Sequence, residues 1–445
     1  MPDPTTIVAV STPRGLGGVA LLRLSGSRAL PIGSLIFLSR PRLRRPRCVH
    51  HGHVVDRRQE PLDTALAWYL RGPRSYTGED TVEITTHGSD ALLDLVLDAA
   101  IHHGARVAEP GEFTRRAFTN GRIDLLQAEA VVDLISAGSR QGLQAAYGAV
   151  SGRLTRLVHS IREQLTRALV QLEAGLDFAE DVTPGELVEV DGTVRAVVDQ
   201  ARELLQTFAG ARCRRDGWKV VIVGRPNAGK STLLNAMLGE DRSIVADEPG
   251  TTRDWVEAEV AWEGERIRLV DTAGLRDGAD RVEAAAVSRS SRQAAEADVV
   301  VAVVDGSEDR MVSPGEISGP GWRAALVVVS KIDLPRLARV GLEAGAIEVS
   351  AHTGAGLAEL RSRIVEALPA RAPVDGAALL RERHHEVLSR VVDSAEGSLQ
   401  DLSAGSHELA AAGLGDALRQ IGDLLGESVG EDVLDRIFSE FCIGK

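Results

Sequence analysis

The sequence predicts a multidomain protein of mixed α/β and all-α class, in which an α/β phosphate-binding domain is inserted into a helical domain. Three features lead to this fold class. A glycine-rich loop at residues 224–231 follows a β-like apolar run, amphipathic helical spacing fills residues 154–176, and similar spacing returns at residues 388–402. At about 100–200 residues per domain, a chain of 445 residues suits two to four domains.

Residues 1–120 have the pattern of an α/β domain, with β-like runs at residues 6–10, 19–24 and 64–70. The glycines at 15, 17 and 18 suggest part of a dinucleotide-binding fingerprint. A β-like run follows them, however, where that fingerprint requires a helix. We therefore expect no dinucleotide site there.

Residues 121–215 change to helical spacing. Leu125, Val132 and Ile135 are expected on one helical face. A second stripe steps by three or four residues and predicts a long amphipathic helix in a bundle core; it comprises Leu154, Val158, Ile161, Leu165, Leu169, Leu172 and Leu176. Because the spacing resumes in residues 373–445, we predict one helical domain, split by a domain inserted at residues 216–372.

Composition limits the possible partners. Hydrophobic residues make up 44% of the chain but aromatic residues only 3%, so Leu, Val, Ala and Ile must form most of the cores. The net charge of −13 argues against broad, non-specific binding of nucleic acid. A basic run is interpreted as a solvated loop rather than a nucleic-acid patch; it comprises Arg40, Arg42, Arg44, Arg45, Arg47, Arg57 and Arg58.

The cysteines and histidines show no metal or disulfide pattern. Cys48, Cys213 and Cys442 are far apart and lack CxxC spacing, which suits a reducing compartment. The histidines at 50, 51, 53, 102 and 103 are interpreted as surface residues. The first residues show no basic-then-apolar signal, and the longest apolar runs are too short to span a bilayer. These features predict a cytoplasmic protein with no membrane partner.

Residues Gly224 to Ser231 match the phosphate-binding pattern G-x-x-x-x-G-K-[ST] in full. The pattern follows the apolar run 219–223 and precedes a helix-like segment from Thr232, which is the context that it requires. Glycines let successive backbone N–H groups face a nucleotide's phosphates. Lys230 supplies a positive charge, and the Ser231 hydroxyl can ligate Mg²⁺. The loop therefore predicts nucleotide binding.

Further motifs follow in the order that a guanine-nucleotide site requires. Thr252 offers a second hydroxyl to Mg²⁺, and Asp271, at the end of a β-like run, can hold the metal's shell. Gly274 can direct its N–H to a γ-phosphate. Asp333 can accept the N1 and N2 donors of guanine, a pair that adenine lacks, and Ser350-Ala351 can approach the guanine carbonyl oxygen. Together these motifs resemble a Ras-like GTPase domain.

Two positions depart from that domain's usual pattern. Ser330 stands where the guanine motif usually begins with Asn, and Leu275 stands where a Gln usually orients the attacking water. A leucine side chain cannot orient water. Hydrolysis therefore needs another water-positioning group, and a bound monovalent cation is one candidate for the charge that an arginine finger would supply.

Over essentially its full length the chain resembles the MnmE (TrmE) family of tRNA-modification GTPases. The most specific match is Phe441-Cys442-Ile443-Gly444-Lys445, which carries the family's C-x-G-K. Other matches lie at residues 6–9, 111–118, 124–130, 225–227 and 272–276. The resemblance implies an α/β folate-binding-like N-terminal domain at 1–120, a helical domain in two parts at 121–215 and 373–445, and an inserted Ras-like P-loop GTPase domain at 216–372.

The resemblance also implies GTP hydrolysis with K⁺ and Mg²⁺. Glu283 would be catalytic through a bridging water, together with Lys230, while Ser231 and Thr252 would hold Mg²⁺. The implied K⁺ ligands are the Asn227 side chain and carbonyls of Ala246, Glu248 and Thr251. The expected GTP-binding residues are Asn227, Ala228, Gly229, Lys230, Ser231, Thr232, Ala246, Asp247, Glu248, Pro249, Gly250, Thr251, Thr252, Asp271, Thr272, Ala273, Gly274, Lys331, Asp333, Ser350 and Ala351.

In this family the N-terminal domain binds a tetrahydrofolate one-carbon derivative, of the 5-formyl or 5,10-methylene type, at a dimer interface. Matching positions are Arg23, Glu83, Arg122 and Lys445, with Arg122 standing where the family more often has Lys. Cationic side chains suit the anionic folate tail, and Glu83 suits the donors of the pterin ring. For Cys442, a part in the modification chemistry and a packing or positioning role are equal alternatives.

The resemblance thus implies a homodimeric, K⁺-activated GTPase that works with an FAD-dependent partner, MnmG (GidA), in a heterotetramer or larger complex. It would add a carboxymethylaminomethyl or aminomethyl group to C5 of the wobble uridine of certain tRNAs. A ribosome-assembly GTPase is one alternative, disfavoured because such proteins lack the N-terminal domain and the C-x-G-K. A folate-binding scaffold with a vestigial GTPase is the other, disfavoured by the intact Lys230, Ser231, Thr252, Asp271 and Asp333.

Overall fold

The computed structural model describes residues 5–138, 140–177, 184–208, 217–239, 256–271, 292–308, 312, 318–319, 322, 325–335, 345–369 and 381–444. The chain forms two compact units. The first comprises Met1–Val132, Ala149–Val198 and Val387–Lys445, and the second comprises Asp133–Gly148 and Asp199–Glu386. The domain boundaries expected from the sequence remain predictions.

The first unit contains a seven-stranded sheet. Its strands are β1 (Ile7–Val10), β2 (Gly17–Ser25), β3 (Phe37–Ser39), β4 (Val49–Val55), β5 (Pro61–Leu70), β6 (Thr81–Gly88) and β7 (Arg106–Val107). The order is β3-β4-β5-β6-β2-β1-β7, and every pair is antiparallel except β1 with β7. A strand begins at Gly17, where a dinucleotide-binding fingerprint would require a helix, so the structure agrees with the prediction that no such fingerprint is present.

Alternation along the strands decides which face of this sheet is buried. In β2, Ala20, Leu22 and Leu24 are buried. Two helices, α1 (Ala29–Ile36) and α2 (Asp90–His102), share a hydrophobic core with this face. A third helix, α3, spans Glu112–Thr119.

The same alternation corrects one prediction. His50 was expected at the surface, yet only 8% of it is exposed. It lies in β4 on the same face as the buried Val54, four residues away. His51 and His53 are exposed, as predicted.

The helical part follows the predicted stripes. Its helices are α4 (Leu125–Ile135), α5 (Arg140–Val150), α6 (Arg153–Asp177), α7 (Pro184–Gln206), α10 (Glu382–Ser403), α11 (His407–Leu425) and α12 (Glu431–Ser439). The predicted long helix is α6, which packs against α11 and buries Leu154, Val158, Ile161, Leu165 and Leu172. In α4, Leu125 is buried, but Ile135, expected on the same face, is 54% exposed.

The second unit contains the predicted α/β sheet. Its strands are β8 (Trp218–Gly224), β9 (Val256–Trp262), β10 (Glu265–Asp271), β11 (Val299–Asp305), β12 (Ala325–Ser330) and β13 (Ile347–Glu348). The order is β13-β12-β11-β8-β10-β9, with only β9 antiparallel. Helices α8 (Lys230–Gly239) and α9 (Leu357–Ala367) contribute to a core on one face of it.

Both faces of this sheet are covered, because β8 and β11 divide their side chains between two cores. Val220 and Ile222 lie in one hydrophobic cluster, and Val221 and Val223 lie in the other. Near-continuous apolar strands are typical of such buried parallel sheets. Ligands then bind beyond the carboxyl ends of the strands. Among the helices that the structure describes, none is long and apolar enough to cross a membrane.

Candidate nucleotide site and N-terminal pocket

The phosphate-binding loop lies between β8 and α8, as predicted. At Gly224 the backbone has φ +150°, and a Cβ there would lie 2.4 Å from the carbonyl oxygen of Val303. No other residue type fits so close to the neighbouring strand. Helix α8 begins at Lys230, so its first N–H groups are at the loop, where they favour an anion.

Lys230 and Ser231 are held in place by the structure. The Lys230 ammonium donates to the Arg225 carbonyl oxygen over 2.7 Å, and the residue is only 7% exposed. The Ser231 hydroxyl donates to Asp271 Oδ2 over 2.6 Å, and Asp271 is buried at the end of β10. A hydroxyl and a carboxylate oxygen side by side are ligands that suit Mg²⁺. The structure thus brings together the two motifs to which the sequence assigned the metal's shell.

On the side of the site expected for the base, Ser350 orients Asp333. The buried Ser350 hydroxyl donates to Asp333 Oδ1 over 2.6 Å, and this hydrogen bond holds the pKa of the Asp333 carboxyl below its usual range. Asp333 is exposed and therefore accessible to a base. Lys331, two residues before it, forms an ion pair with Asp305 over 2.5 Å. Ala351 follows Ser350 directly.

Ser330 has a role that the sequence analysis did not anticipate. Its side chain is buried, and its hydroxyl lies 2.7 Å from the Ala228 carbonyl oxygen and 3.1 Å from that of Val304. One hydrogen bond therefore connects the guanine motif to the phosphate-binding loop. Only the three-dimensional proximity of β12 and the loop reveals this contact.

In the N-terminal domain, Arg23 and Glu83 form an ion pair on one face of the sheet. Arg23 Nε donates to Glu83 Oε1 over 2.7 Å, and the two residues are cross-strand partners in β2 and β6. Trp68, the partner of Glu83 in β5, donates its indole N–H to Oε2 over 2.7 Å. Trp68 is not recognisable from the sequence, because only strand register brings it to this carboxylate.

Aromatic rings and the C-x-G-K segment complete this pocket. The Arg23 guanidinium carbon lies 5.9 Å from the ring centroid of Tyr76 and 5.6 Å from that of Phe113. The carbonyl oxygen of Gly444 accepts from Ser11 Oγ over 2.9 Å and from Arg23 Nη1 over 3.4 Å. Arg23 is thus surrounded by groups from three distant parts of the chain.

Two other residues predicted for this site are described by the structure. Arg122 donates to the carbonyl oxygen of Ser75, the residue before Tyr76, over 3.2 Å. Cys442 is a free, exposed thiol. Twelve predicted site residues lie outside the described residues: Ala246, Asp247, Glu248, Pro249, Gly250, Thr251, Thr252, Thr272, Ala273, Gly274, Glu283 and Lys445.

Two family models account for nearly the whole chain. The model described as "GTP-binding protein TrmE N-terminus" matches residues 6–122, and the model described as "MnmE helical domain" matches residues 125–442. The chain belongs to the MnmE family. The family and the fold class inferred from the sequence are thereby confirmed.

Full-length relatives agree with this assignment. Proteins named tRNA modification GTPase MnmE from Syntrophus aciditrophicus and Moorella thermoacetica are each 40% identical, and one from Aquifex aeolicus is 39% identical. Each match covers 99% of this chain and 99% of the relative. A solved G domain of the T. maritima FeoB iron transporter covers 34% of the chain at 24% identity, but its TM-score of 0.24 is too low to inform the fold.

Proposed function

We propose that this MnmE-family protein is a K⁺-activated, Mg²⁺-dependent GTPase that takes part in modifying the wobble uridine of certain tRNAs. The observation that carries the proposal is the contact of Ser231 with Asp271 beside Lys230, at the phosphate-binding loop. Hydroxyl, carboxylate and ammonium there suit Mg²⁺ and the phosphates of a nucleotide. Asp333, kept ionised by Ser350, suits the paired donors of guanine.

A monovalent cation would neutralise the negative charge on the phosphates that an arginine finger would otherwise neutralise. Leu275 cannot orient water, so we assign that role to Glu283 through a bridging water. Asn227 is exposed in the loop, so its amide oxygen is available as a K⁺ ligand. Its backbone has φ 63°. Carbonyls of Ala246, Glu248 and Thr251 would complete the shell. Bound K⁺ would supply positive charge to the phosphates as hydrolysis proceeds.

The N-terminal pocket suits a tetrahydrofolate one-carbon derivative, with Arg23, Glu83, Arg122 and Lys445 as its ligands. Each Glu83 oxygen already accepts one hydrogen bond, yet a carboxylate has about four acceptor positions. Glu83 can therefore take pterin donors without losing Arg23 or Trp68. The folate would supply the carbon that becomes part of the group added at C5 of the uridine.

We further propose that the protein acts as a cytoplasmic homodimer with an FAD-dependent partner, MnmG. Hydrolysis of GTP would open and close the G domains and so set the arrangement of the partner complex. The exposed Cys442 thiol would be accessible for a part in the modification chemistry.

GTP turnover in matched KCl and NaCl buffers, at saturating Mg²⁺, tests the proposed GTPase. We expect hydrolysis in K⁺ to exceed that in Na⁺, and the Asn227→Ala and Glu283→Ala variants to lose about 100-fold in kcat, the usual effect of removing one transition-state contact. Glu359→Ala is the matched control, because Glu359 is an exposed glutamate on α9 of the same unit.

Equal turnover in the two salts would exclude K⁺ activation while leaving a GTPase. No turnover in either salt would support the alternative of a vestigial GTPase. Loss of activity in the Glu359→Ala control would show that Glu283→Ala acts through general damage to the domain.

A further inference from the structure

A cavity of about 840 Å³ lies where the chain passes from β3 to β4 in the N-terminal sheet. Four arginines and two histidines line it: Arg40, Arg42, Arg44, Arg45, His50 and His51. We call it the arginine cavity. The sequence predicts a solvated loop for this basic run, but the fold gathers four of its seven arginines around one concave surface.

The backbone of the arginine cavity is held in place. Leu43, between the arginines, is 1% exposed and belongs to the core of the sheet. The Pro41 carbonyl oxygen accepts from Ser39 Oγ over 2.8 Å and lies 3.2 Å from His50 Nδ1. The loop is therefore anchored to both strands and to the core, while its arginines remain exposed.

The four guanidinium groups are not neutralised within the part of the chain that the structure describes, where none forms a hydrogen bond or ion pair. Other members of the basic run are engaged. Arg57 pairs with Asp98 over 3.7 Å, and Arg47 donates to the Arg74 carbonyl oxygen over 3.2 Å. Four positive charges therefore lie together in a chain whose net charge is −13. An anion among these groups would relieve their mutual repulsion.

His50 adds a buried polar group to the wall of the cavity. Only 8% of the residue is exposed, and its Nε2 has no hydrogen-bond partner among the described residues. A carbonyl oxygen can only accept, so the hydrogen of the ring lies on Nδ1, facing Pro41. With its hydrogen on Nδ1, Nε2 can only accept, so a phosphate oxygen cannot bond to it, and His50 contributes to the packing of the cavity wall rather than to anion binding.

We propose that the arginine cavity binds backbone phosphates of the tRNA on which the protein acts, an inference that rests on the proposed function. Guanidinium groups match phosphate in shape and charge and bind it through two parallel hydrogen bonds. Several of them around an open cavity suit a ligand with repeated phosphates. Contacts to phosphate fix the position of a nucleic acid without reading its sequence. The cavity therefore positions the RNA, while its recognition by sequence lies elsewhere.

The test compares two double variants of the full-length protein. Arg42→Gln/Arg45→Gln removes two charges from the cavity. Arg57→Gln/Arg58→Gln removes two exposed charges from the same domain outside it. The dissociation constant for an unmodified tRNA is measured for each over a series of NaCl concentrations without nucleotide, and a parallel titration uses inorganic tripolyphosphate. GTP turnover and thermal unfolding are recorded for every variant.

We expect the cavity variant to bind tRNA about tenfold more weakly at low salt. The slope of log affinity against log salt concentration should also fall in magnitude by about 1 to 2, because binding releases fewer counterions when fewer phosphates are contacted. The control variant should keep the wild-type affinity and slope. Turnover of GTP and the unfolding midpoint should not change in either variant.

Equal losses of tRNA affinity in both variants would overturn the proposal in favour of diffuse electrostatic attraction. No loss of affinity in either variant would show that these arginines do not bind tRNA. A cavity variant that loses only tripolyphosphate binding would identify a site for small free anions, and that also overturns it. The experiment distinguishes failure of this inference from failure of the proposed function. Wild-type GTP turnover together with unaltered tRNA binding in the cavity variant defeats this inference alone.

Discussion

Ser330 stabilises the nucleotide site through one buried hydroxyl. Most guanine motifs of this type begin with Asn, and here a shorter side chain reaches the Ala228 carbonyl oxygen directly. The first position of the guanine motif therefore donates to the phosphate-binding loop through a serine hydroxyl.

We expect Ser330→Ala to weaken GTP binding several-fold and to lower the free energy of unfolding by about 1–2 kcal/mol, because the Ala228 carbonyl loses a buried donor. Calorimetric titration with a non-hydrolysable GTP analogue measures the first effect. Ser398→Ala is the control, since Ser398 is also buried and donates to a carbonyl, that of Ser394, in the other unit. Unchanged nucleotide affinity in Ser330→Ala would show that the contact is dispensable.

Glu112 is the centre of a buried charge cluster beside the N-terminal sheet. It accepts from Arg106 over 2.6 Å and from Arg116 over 2.8 Å, and Arg116 also contacts Glu79 over 3.2 Å. Burial by itself raises the pKa of Glu112. Its hydrogen bonds with Arg106, Arg116 and the Glu109 amide outweigh burial and hold the pKa below the ordinary value of 4.5.

This lowered pKa makes stability depend on pH in a defined direction. The contribution of ionised Glu112 to the free energy of unfolding is complete above the unfolded-state pKa, near 4.5. It is lost as pH falls through the lower pKa of the folded state. We expect Glu112→Gln to cost about 1–3 kcal/mol at neutral pH and to lose stability less steeply in acid than the wild type. Urea unfolding at several pH values measures both, with the exposed Glu109→Gln as control. Parallel acid profiles for Glu112→Gln and wild type would contradict this account.

Site residues can be predicted from the sequence where the chemistry depends on local order along the chain. Lys230, Ser231 and Asp271 were recognisable because each follows an apolar strand at a fixed spacing. Trp68 and His50 were not, because their surroundings come from strand register. Trp68 meets Glu83 only through the pairing of β5 with β6, and His50 is buried because it lies on the same face of β4 as the buried Val54.

At the scale of elements, Ile443 and Gly444 hold the segment after α12 against the N-terminal sheet. Ile443 forms an antiparallel bridge with Pro110, and the Gly444 carbonyl oxygen accepts from Ser11 and Arg23. Gly444 has φ 95°, and a Cβ there would lie 2.4 Å from the Val10 carbonyl oxygen. This segment reaches Arg23 only with glycine at this position.

We expect Gly444→Ala to displace the segment and speed its hydrogen exchange at least about tenfold, because a backbone clash and an unfavourable φ act together. If the proposed folate pocket is correct, affinity for 5-formyl-tetrahydrofolate falls as well. Gly430→Ala is the control, since nothing lies within 4 Å of a Cβ there and its φ is −65°. Wild-type exchange in Gly444→Ala would mean that the segment tolerates a side chain.

The elements themselves were the most predictable level. The seven-position stripe of α6 repeats over several turns, so its buried face was recognisable before any contact was known. Ile135 shows the limit of that reasoning. It lies about 80° from Leu125 around the helix axis, at 3.6 residues per turn. In addition, α4 ends at Ile135, and the partner that covers the beginning of α4 includes Phe438, from α12. Periodicity gives the face of a helix but not the extent of its partner.

At the scale of the whole molecule, the two units differ in how far apart their packing partners lie in sequence. In the nucleotide-binding sheet, both hydrophobic clusters contain only residues between Trp218 and Leu368. In the helical part, α6 packs against α11, and Leu125 packs with Phe438. The nucleotide-binding sheet thus has a self-contained core, whereas the core of the helical part is completed by segments that lie far apart in the sequence.

We expect residues 217–369, produced alone, to unfold cooperatively and to bind guanine nucleotide, because their core is complete. Residues 121–208 alone should show no cooperative transition, since α6 lacks α11, and residues 381–445 added in trans should restore one. Thermal unfolding followed by circular dichroism measures each case. A cooperative transition in 121–208 alone would show that this helical part needs no distant partner.

The contact between Ser11 and Gly444 joins positions separated by 433 residues. At a synthesis rate of about 5–20 residues per second, roughly 20 to 90 seconds pass on the ribosome between the emergence of these two residues. During that interval the strands that carry Arg23 and Glu83 can already pair, while the carbonyl that contacts Arg23 does not yet exist. The N-terminal pocket is therefore among the last parts of the nascent protein to be completed, however early its sheet forms.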